Sequence, residues 1–300
     1  MKLLLQRLRT EGRDLVELVL LPALGAMLPW RLAFRLLRRI GDLAQPYAES
    51  GRCAIAQAAA RGWVGDALHW SRVRRLVTLV DHADLYLSRT RSDNWLARHM
   101  DIDGAWPVPG QAGIIFTFHW GAGMWGLRHA HASGLNAHAL VAPLDGAQFA
   151  GRSVLLAYAR RRTAEVARAL GCPTLDTSAS LRPVLQALRR GEQVVAAVDV
   201  PSDQVSASEE VELLGARARV PRALLRLAVD QQVPVTVYLT GLRTQTGRRF
   251  LRIRQLGVHD SVEQLKTTVF AFLDAAIRED PPSWHFWGEA ERFFVMPQPG

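Results

Sequence analysis

The chain has 300 residues, 49% of them hydrophobic and 22% charged, so it can bury a large core and is not a disordered protein. Its formal charge is +9, and Lys2 and Lys266 are the only lysines, so the surplus is almost wholly Arg, which suits phosphate and other anionic partners. Cys53 and Cys172 lack the paired spacing of a zinc knuckle, a redox motif or a disulfide framework, which points to a reducing compartment.

No apolar stretch reaches the roughly 18 residues of a membrane span, which excludes a polytopic membrane protein. The uncharged run at 18–30 is interrupted by Pro22 and Pro29 and reads as a hairpin-like apolar segment. Glu11, Asp14 and Glu17 sit where a signal peptide would be basic, so the segment is expected to remain on the protein. From Arg31 the pattern changes. Arg31, Arg35, Arg38 and Arg39 share one side of a helix, with Leu32, Leu36, Leu37, Ile40 and Leu43 on the opposite side. That is the composition of a helix lying on an anionic membrane surface. A core-facing helix with a solvated basic face fits the same pattern, and the apolar run before it favours membrane contact. We therefore divide the chain into an N-terminal amphipathic anchor, 1–45, and a body, 46–300.

Residues 50–103 read as helical and Ala-rich, with Trp63, Trp70 and Trp95 as packing anchors. After turn signals at Gly104, Pro107, Pro109 and Gly110, a buried-strand pattern at 113–118 ends on His119. The small residues Gly121, Ala122 and Gly123 follow, then a helix at 124–133 that stops at Gly134. Further strands are expected at 137–142, 193–200, 234–240 and 250–254, separated by helices at 152–170, 180–190, 221–231 and 261–279. This alternation predicts an α/β fold with a mixed, mostly parallel central sheet flanked by helices. Chemistry in such folds sits at the carboxyl ends of strands, where His119 and Asp199 both fall.

His119 lies after a buried strand and before a Gly-rich turn, where it can act as a general base; a structural histidine fits the same position. His129 and His131 are two apart on a helix and face different sides, so no metal site is expected. Ser202, Ser206 and Ser208 occupy a polar loop, with no nucleophile elbow in the chain. Phosphate-cradling nucleotide motifs are also lacking. Two basic clusters remain. One is Arg160, Arg161 and Arg162. The other is Arg217, Arg219, Arg222 and Arg226, where a helix starting near Pro221 would align Arg219, Arg222 and Arg226 on one face. Either could hold a phosphate-bearing substrate or an acidic carrier, or be a solvated face. No motif supports nucleic-acid binding.

Several segments in order resemble the lipid A biosynthesis acyltransferase family, the bacterial lauroyl and myristoyl transferases related to glycerophospholipid acyltransferases. They are LPWRLAFRL at 28–36, the stretch 113–126 around His119, 185–199, LLGARARVP at 213–221, VPV at 233–235 and WHFW at 284–287. The resemblance implies a glycerolipid acyltransferase-like fold. It also implies a membrane-associated O-acyltransferase at the cytoplasmic face of a bacterial inner membrane. Such an enzyme moves a fatty acyl chain from acyl carrier protein or coenzyme A to a hydroxyl of an amphipathic lipid or glycolipid. The partners implied are acyl carrier protein, an anionic membrane surface and the lipid acceptor, with no cofactor beyond the acyl donor.

In that family the base is the His of an H-x4-acidic motif, and the carboxylate orients the imidazole. Here the acidic position is Met124, whose thioether can neither accept a strong hydrogen bond nor stabilise an imidazolium. Either another carboxylate reaches His119, or a backbone carbonyl orients it, or the protein is a catalytically inactive lipid-binding or scaffold homologue. Asp199 is the first candidate because the family keeps an Asp after this strand; Asp145 and Glu289 follow. By the same resemblance, Arg160 and Arg162 match basic positions that bind carrier or phosphate, although Ala164 stands where many members have Gly. Amides of Gly121 and Gly123, or an Arg, would hold the oxyanion. Gly288, Glu289 and Ala290 replace the family's His-Arg-Arg, so the acceptor need not be lipid A.

Overall fold

The structure, a computed structural model, describes residues 2–144, 149–176, 180–204 and 207–295. The first third is helical: α1 (Lys2–Asp14), a π-helical turn (Leu15–Leu20), α2 (Leu21–Met27), α3 (Trp30–Asp42), α4 (Ala48–Ala60), α5 (Ala67–Thr90) and α6 (Asp93–Arg98). Each Pro of the early run sits where a helix tolerates it, Pro22 in the first turn of α2 and Pro29 as the residue capping α3. The run is therefore helix rather than hairpin. Asp66 caps α5 by accepting from the amides of Leu68 and His69.

Seven strands form one sheet in the order β1-β9-β8-β2-β5-β3-β4. They are β1 (Met100–Asp103), β2 (Gly113–Thr117), β3 (Ala137–Val141), β4 (Leu175–Asp176), β5 (Gln193–Ala197), β8 (Val235–Leu242) and β9 (Arg249–Gly257). All neighbours pair in parallel except β8 with β9. The fold is thus mixed α/β, with a mostly parallel central sheet flanked by helices.

The central strands are apolar throughout because both sheet faces are covered. Ile114 and Phe116 of β2 pack into one core with α9 (Arg182–Arg189), α10 (Ala223–Asp230) and α11 (Val262–Glu279). Ile115 points into the other core, formed by α2, α3, α5, α7 (Met124–Ala132) and α8 (Ser153–Leu170). A separate antiparallel hairpin, β6 (Ser208–Leu213) and β7 (Ala216–Pro221), turns at Leu214 and Gly215, both at positive φ.

Four expectations require correction. β1 interrupts the stretch 50–103 read as helical. Ser208 begins a strand rather than lying in a loop, and Ser206 falls outside the described residues. Arg217 and Arg219 belong to β7, so they share no helix face with Arg222 and Arg226; α10 begins only at Ala223. On α3 the inward face is Trp30, Ala33, Phe34, Leu37 and Gly41, while Leu32 and Leu43 are exposed alongside the arginines.

Three acidic residues of the N-terminal segment, Glu11, Asp14 and Glu17, are engaged with the rest of the protein. The carboxylate of Glu11 caps α8, accepting from the amides of Ser153 and Val154 at 2.6 and 2.9 Å. Asp14 accepts two bonds from Arg152 at 2.9 and 2.7 Å. Glu17 accepts the amide of Tyr47 at 2.8 Å. What remains outside on α1–α3 is mainly apolar and basic: Leu4, Leu5, Leu8, Leu20, Leu24, Met27 and Leu32 are exposed, with Arg31, Arg35, Arg38 and Arg39, while Asp42 at the end of α3 is exposed beside Arg72 at 3.5 Å. Among the described residues no helix is long and apolar enough to cross a membrane.

Candidate functional site

Parallel pairing of β2 with β5 places Thr117 opposite Ala197. Two residues further along each strand are His119 and Asp199, so they leave adjacent strands side by side and on the same face. The imidazole Nδ1 lies 2.9 Å from Asp199 Oδ1. The His119 amide donates to both oxygens of the same carboxylate, each at 2.9 Å, and the indole N–H of Trp284 donates to Oδ2 at 3.0 Å.

Asp199 is 1% exposed, and every group bonded to it is an N–H, so it acts only as an acceptor. The imidazole proton is thereby fixed on Nδ1. Nε2 has no hydrogen-bond partner among the described residues, and the His119 side chain is 42% exposed. Phe286 meets the ring edge-on, with centroids 4.5 Å apart. A carboxylate orienting one nitrogen while the other faces an open edge is the arrangement of a general base.

Of the acids considered for this role, Asp199 is the one that reaches His119. Glu289 pairs with Arg292 at 2.7 Å, and Asp145 falls outside the described residues. Met124 is buried in the core with Ala122 and Trp125. It opens α7 as a packing residue, which is why no acid is needed or accommodated there.

The turn after His119 is clamped on both sides. Gly121 donates its amide to Ser283 C=O at 3.0 Å, and Ala122 donates to Thr240 C=O at 2.9 Å. A Cβ on Gly121, whose φ is +70°, would lie 2.2 Å from the Thr240 oxygen, so only glycine fits. The Gly121 amide is therefore not available to an oxyanion, contrary to expectation. One step on, at the N-terminus of α7, the amides of Gly123 and Met124 have no hydrogen-bond partner among the described residues.

The partner segment is held from the opposite side by Arg74 of α5. Its guanidinium donates to the carbonyls of Pro282, Trp284 and His285 at 3.1, 2.6 and 2.9 Å. Burial pushes Arg74 down to about 10. His285 bonds through Nε2 to Gly121 C=O at 2.7 Å, and burial, with Arg74 adding to it, pushes its pKa down to about 4. Sequence reasoning did not single out Arg74 or His285. Their roles depend on a contact between α5 and the C-terminal turns that no local pattern announces.

Arg162 does not contact His119. It donates to Asp81 at 2.9 Å and to the Tyr158 hydroxyl at 3.2 Å. Burial raises the Asp81 pKa, but the Arg162 charge outweighs it and holds the carboxyl at about 2. The Tyr158 hydroxyl also meets His82 Nδ1, whose pKa burial pushes down to about 3. Arg160 is exposed on α8. Arg219 pairs with Glu210 at 3.8 Å and Arg222 with Glu209 at 3.5 Å, both on the hairpin side of the molecule. None of these four arginines bonds to His119 or Asp199.

His129 Nδ1 accepts the indole N–H of Trp106 at 2.8 Å. Among the described residues no three His, Cys, Asp or Glu side chains converge as a metal ion would require. No protein-family model matches this chain, and no curated protein matches it.

Proposed function

We propose that this protein is a membrane-surface O-acyltransferase of the kind its sequence resembles, with His119 as general base and Asp199 as the group that orients it. The observation carrying this reading is the pairing of His119 Nδ1 with a buried Asp199 while Nε2 stands open at the carboxyl edge of the sheet.

In the reaction, Nε2 takes the proton of an acceptor hydroxyl as its oxygen bonds to the thioester carbonyl carbon. Asp199 stabilises the imidazolium that forms. The tetrahedral oxyanion accepts from the free amides of Gly123 and Met124, aided by the positive end of α7. The carbon–sulfur bond then breaks, and the imidazolium returns its proton to the departing thiolate. An ester and a free thiol result.

The N-terminal helices supply the membrane contact. With Glu11 and Asp14 held by α8 and Arg152, the outer face is dominated by leucines and arginines, matching an interface of hydrocarbon and anionic headgroups. The acyl donor is carried by acyl carrier protein or coenzyme A, and the acceptor is an amphipathic lipid or glycolipid. The activity belongs at the cytoplasmic face of a bacterial inner membrane, where such donors occur.

The test follows thiol release from acyl-carrier and acyl-CoA thioesters by the full chain on vesicles containing a hydroxyl-bearing lipid. Release dependent on that acceptor is expected, and His119→Ala should lower it by about 10³-fold with an unchanged circular dichroism spectrum. Full turnover by His119→Ala contradicts the assignment. Absence of turnover by the wild type on every donor favours a lipid-binding scaffold instead.

A further inference from the structure

We propose that the cavity at the start of α3 is a binding site for a phosphate group. The cavity has a volume of about 500 Å³ and lies between the first turn of α3, the end of α6 and the turn joining β8 to β9. Three arginines from these three separate elements line it: Arg31, Arg98 and Arg248.

Arg31 and Arg98 keep most of their donors, while Arg248 is anchored. Arg31 has no hydrogen-bond or ion-pair partner among the described residues. Arg98 uses only Nε, toward Asn94 C=O at 3.3 Å, leaving both terminal nitrogens free. Arg248 is held in place by Asp101 Oδ1, at 3.1 and 2.7 Å, and by the Arg98 carbonyl, at 3.1 Å, which leaves one N–H on each terminal nitrogen for a ligand. That one carboxylate is shared with Arg243, so it does not neutralise the group. Among the described residues no acidic side chain lines the cavity.

Of the remaining polar atoms, the Thr246 hydroxyl is a donor and His99 Nε2 an acceptor for a protonated phosphate oxygen. His99 gives its Nδ1 proton to Trp95 C=O at 2.8 Å, which fixes the tautomer and leaves Nε2 unengaged. The Thr246 hydroxyl accepts from the Arg248 amide at 3.3 Å and keeps its own proton to donate. Trp95 is stacked on His99 with centroids 4.2 Å apart, so this wall is rigid. Guanidinium groups converging from several directions match a tetrahedral phosphate, whose oxygens can each accept two or more bonds.

β9 begins and β8 ends beside this turn, so the cavity opens on the same edge of the sheet as His119, displaced toward β1. The site does not rest on the transfer chemistry, since a protein with no transferase activity would still hold the phosphate. The phosphate is that of a lipid headgroup or of a soluble phosphorylated compound.

The test compares two double variants of the full chain. R31Q/R98Q removes the two guanidiniums of the cavity that no carboxylate holds; R182Q/R189Q removes equal charge from exposed positions on α9, whose apolar side packs into the other core. Inorganic phosphate binding is followed by calorimetry. Vesicle binding is followed by flotation with phosphatidylcholine, alone or containing phosphatidic acid. R31Q/R98Q is expected to weaken binding by about tenfold or more, with R182Q/R189Q changing it much less. If phosphatidic-acid vesicles lose binding in R31Q/R98Q, the source is a lipid headgroup. If only inorganic phosphate is lost, it is a soluble compound. Equal weakening in both double variants, or no weakening of either ligand in R31Q/R98Q, overturns the site.

Discussion

Asp199 and Asp84 are both buried carboxylates facing a nitrogen base, and they differ in what happens on the far side of that base. Asp84 pairs with Arg249, and both side chains are 0% exposed. The guanidinium is enclosed between Trp30 of α3 and Trp125 of α7, its carbon 4.2 and 4.3 Å from the two ring centroids. Burial pushes Asp84 up to about 7, against the pull of Arg249. In the other pair the carboxylate is equally deep, but the imidazole it orients is 42% exposed. The first pair fastens the N-terminal helices to the sheet; the second holds a proton acceptor at an open edge. Burial of a charged partner therefore does not distinguish a site from a fastening. The exposure of the second atom does.

The comparison breaks first at Arg249. Replacing it with Met leaves Asp84 buried and unpaired, and chemical denaturation should show a loss of about 3–5 kcal/mol. A loss well under 1 kcal/mol would mean that the sealed pair does not fasten the helices. At the open site, Met124→Glu inserts a carboxyl into a full core, and Asp199 already occupies Nδ1. We expect a stability loss of about 1–3 kcal/mol and no gain in transfer rate. Faster transfer would show that the proposed dyad was incomplete.

The smallest effect is a pH dependence. Folding lowers the pKa values of His285 and His82 from the ordinary 6.5 to about 4 and about 3. Between pH 6.5 and those values the unfolded chain binds protons at these rings that the folded chain does not. Their neutral burial is therefore tolerated fully above pH 6.5 and costs stability progressively as the pH falls toward 4. Thermal unfolding from pH 7 to 5 should show a falling midpoint, and His285→Gln should flatten that slope. An unchanged slope in the variant would place the uptake elsewhere.

Much of this was legible in the chain. The central strands announce themselves as continuous apolar runs, and their helices by period. His119 was legible as the residue ending a buried strand, and Asp199 as the residue ending its neighbour. That they meet follows from a register of Thr117 opposite Ala197, which the sequence does not state. β1 was missed because MDID is a short edge strand with one buried side chain. β6 and β7 do alternate, with Val211 and Leu213 inside against Glu210 and Glu212 outside. Reading the arginines of β7 as a helix face concealed that pattern. Trp284 and Arg74 complete the site through contacts spanning 85 and 210 positions, beyond any local signal.

The most direct measurement is the rate of the proposed acyl transfer by Asp199→Asn at saturating acceptor. The amide keeps the shape but can no longer stabilise an imidazolium or dictate the Nδ1 proton. The turnover rate should fall by about 10²-fold or more with little change in the acceptor KM. Transfer at the wild-type rate by a folded Asp199→Asn protein would contradict the assignment of His119 and Asp199 as a working pair.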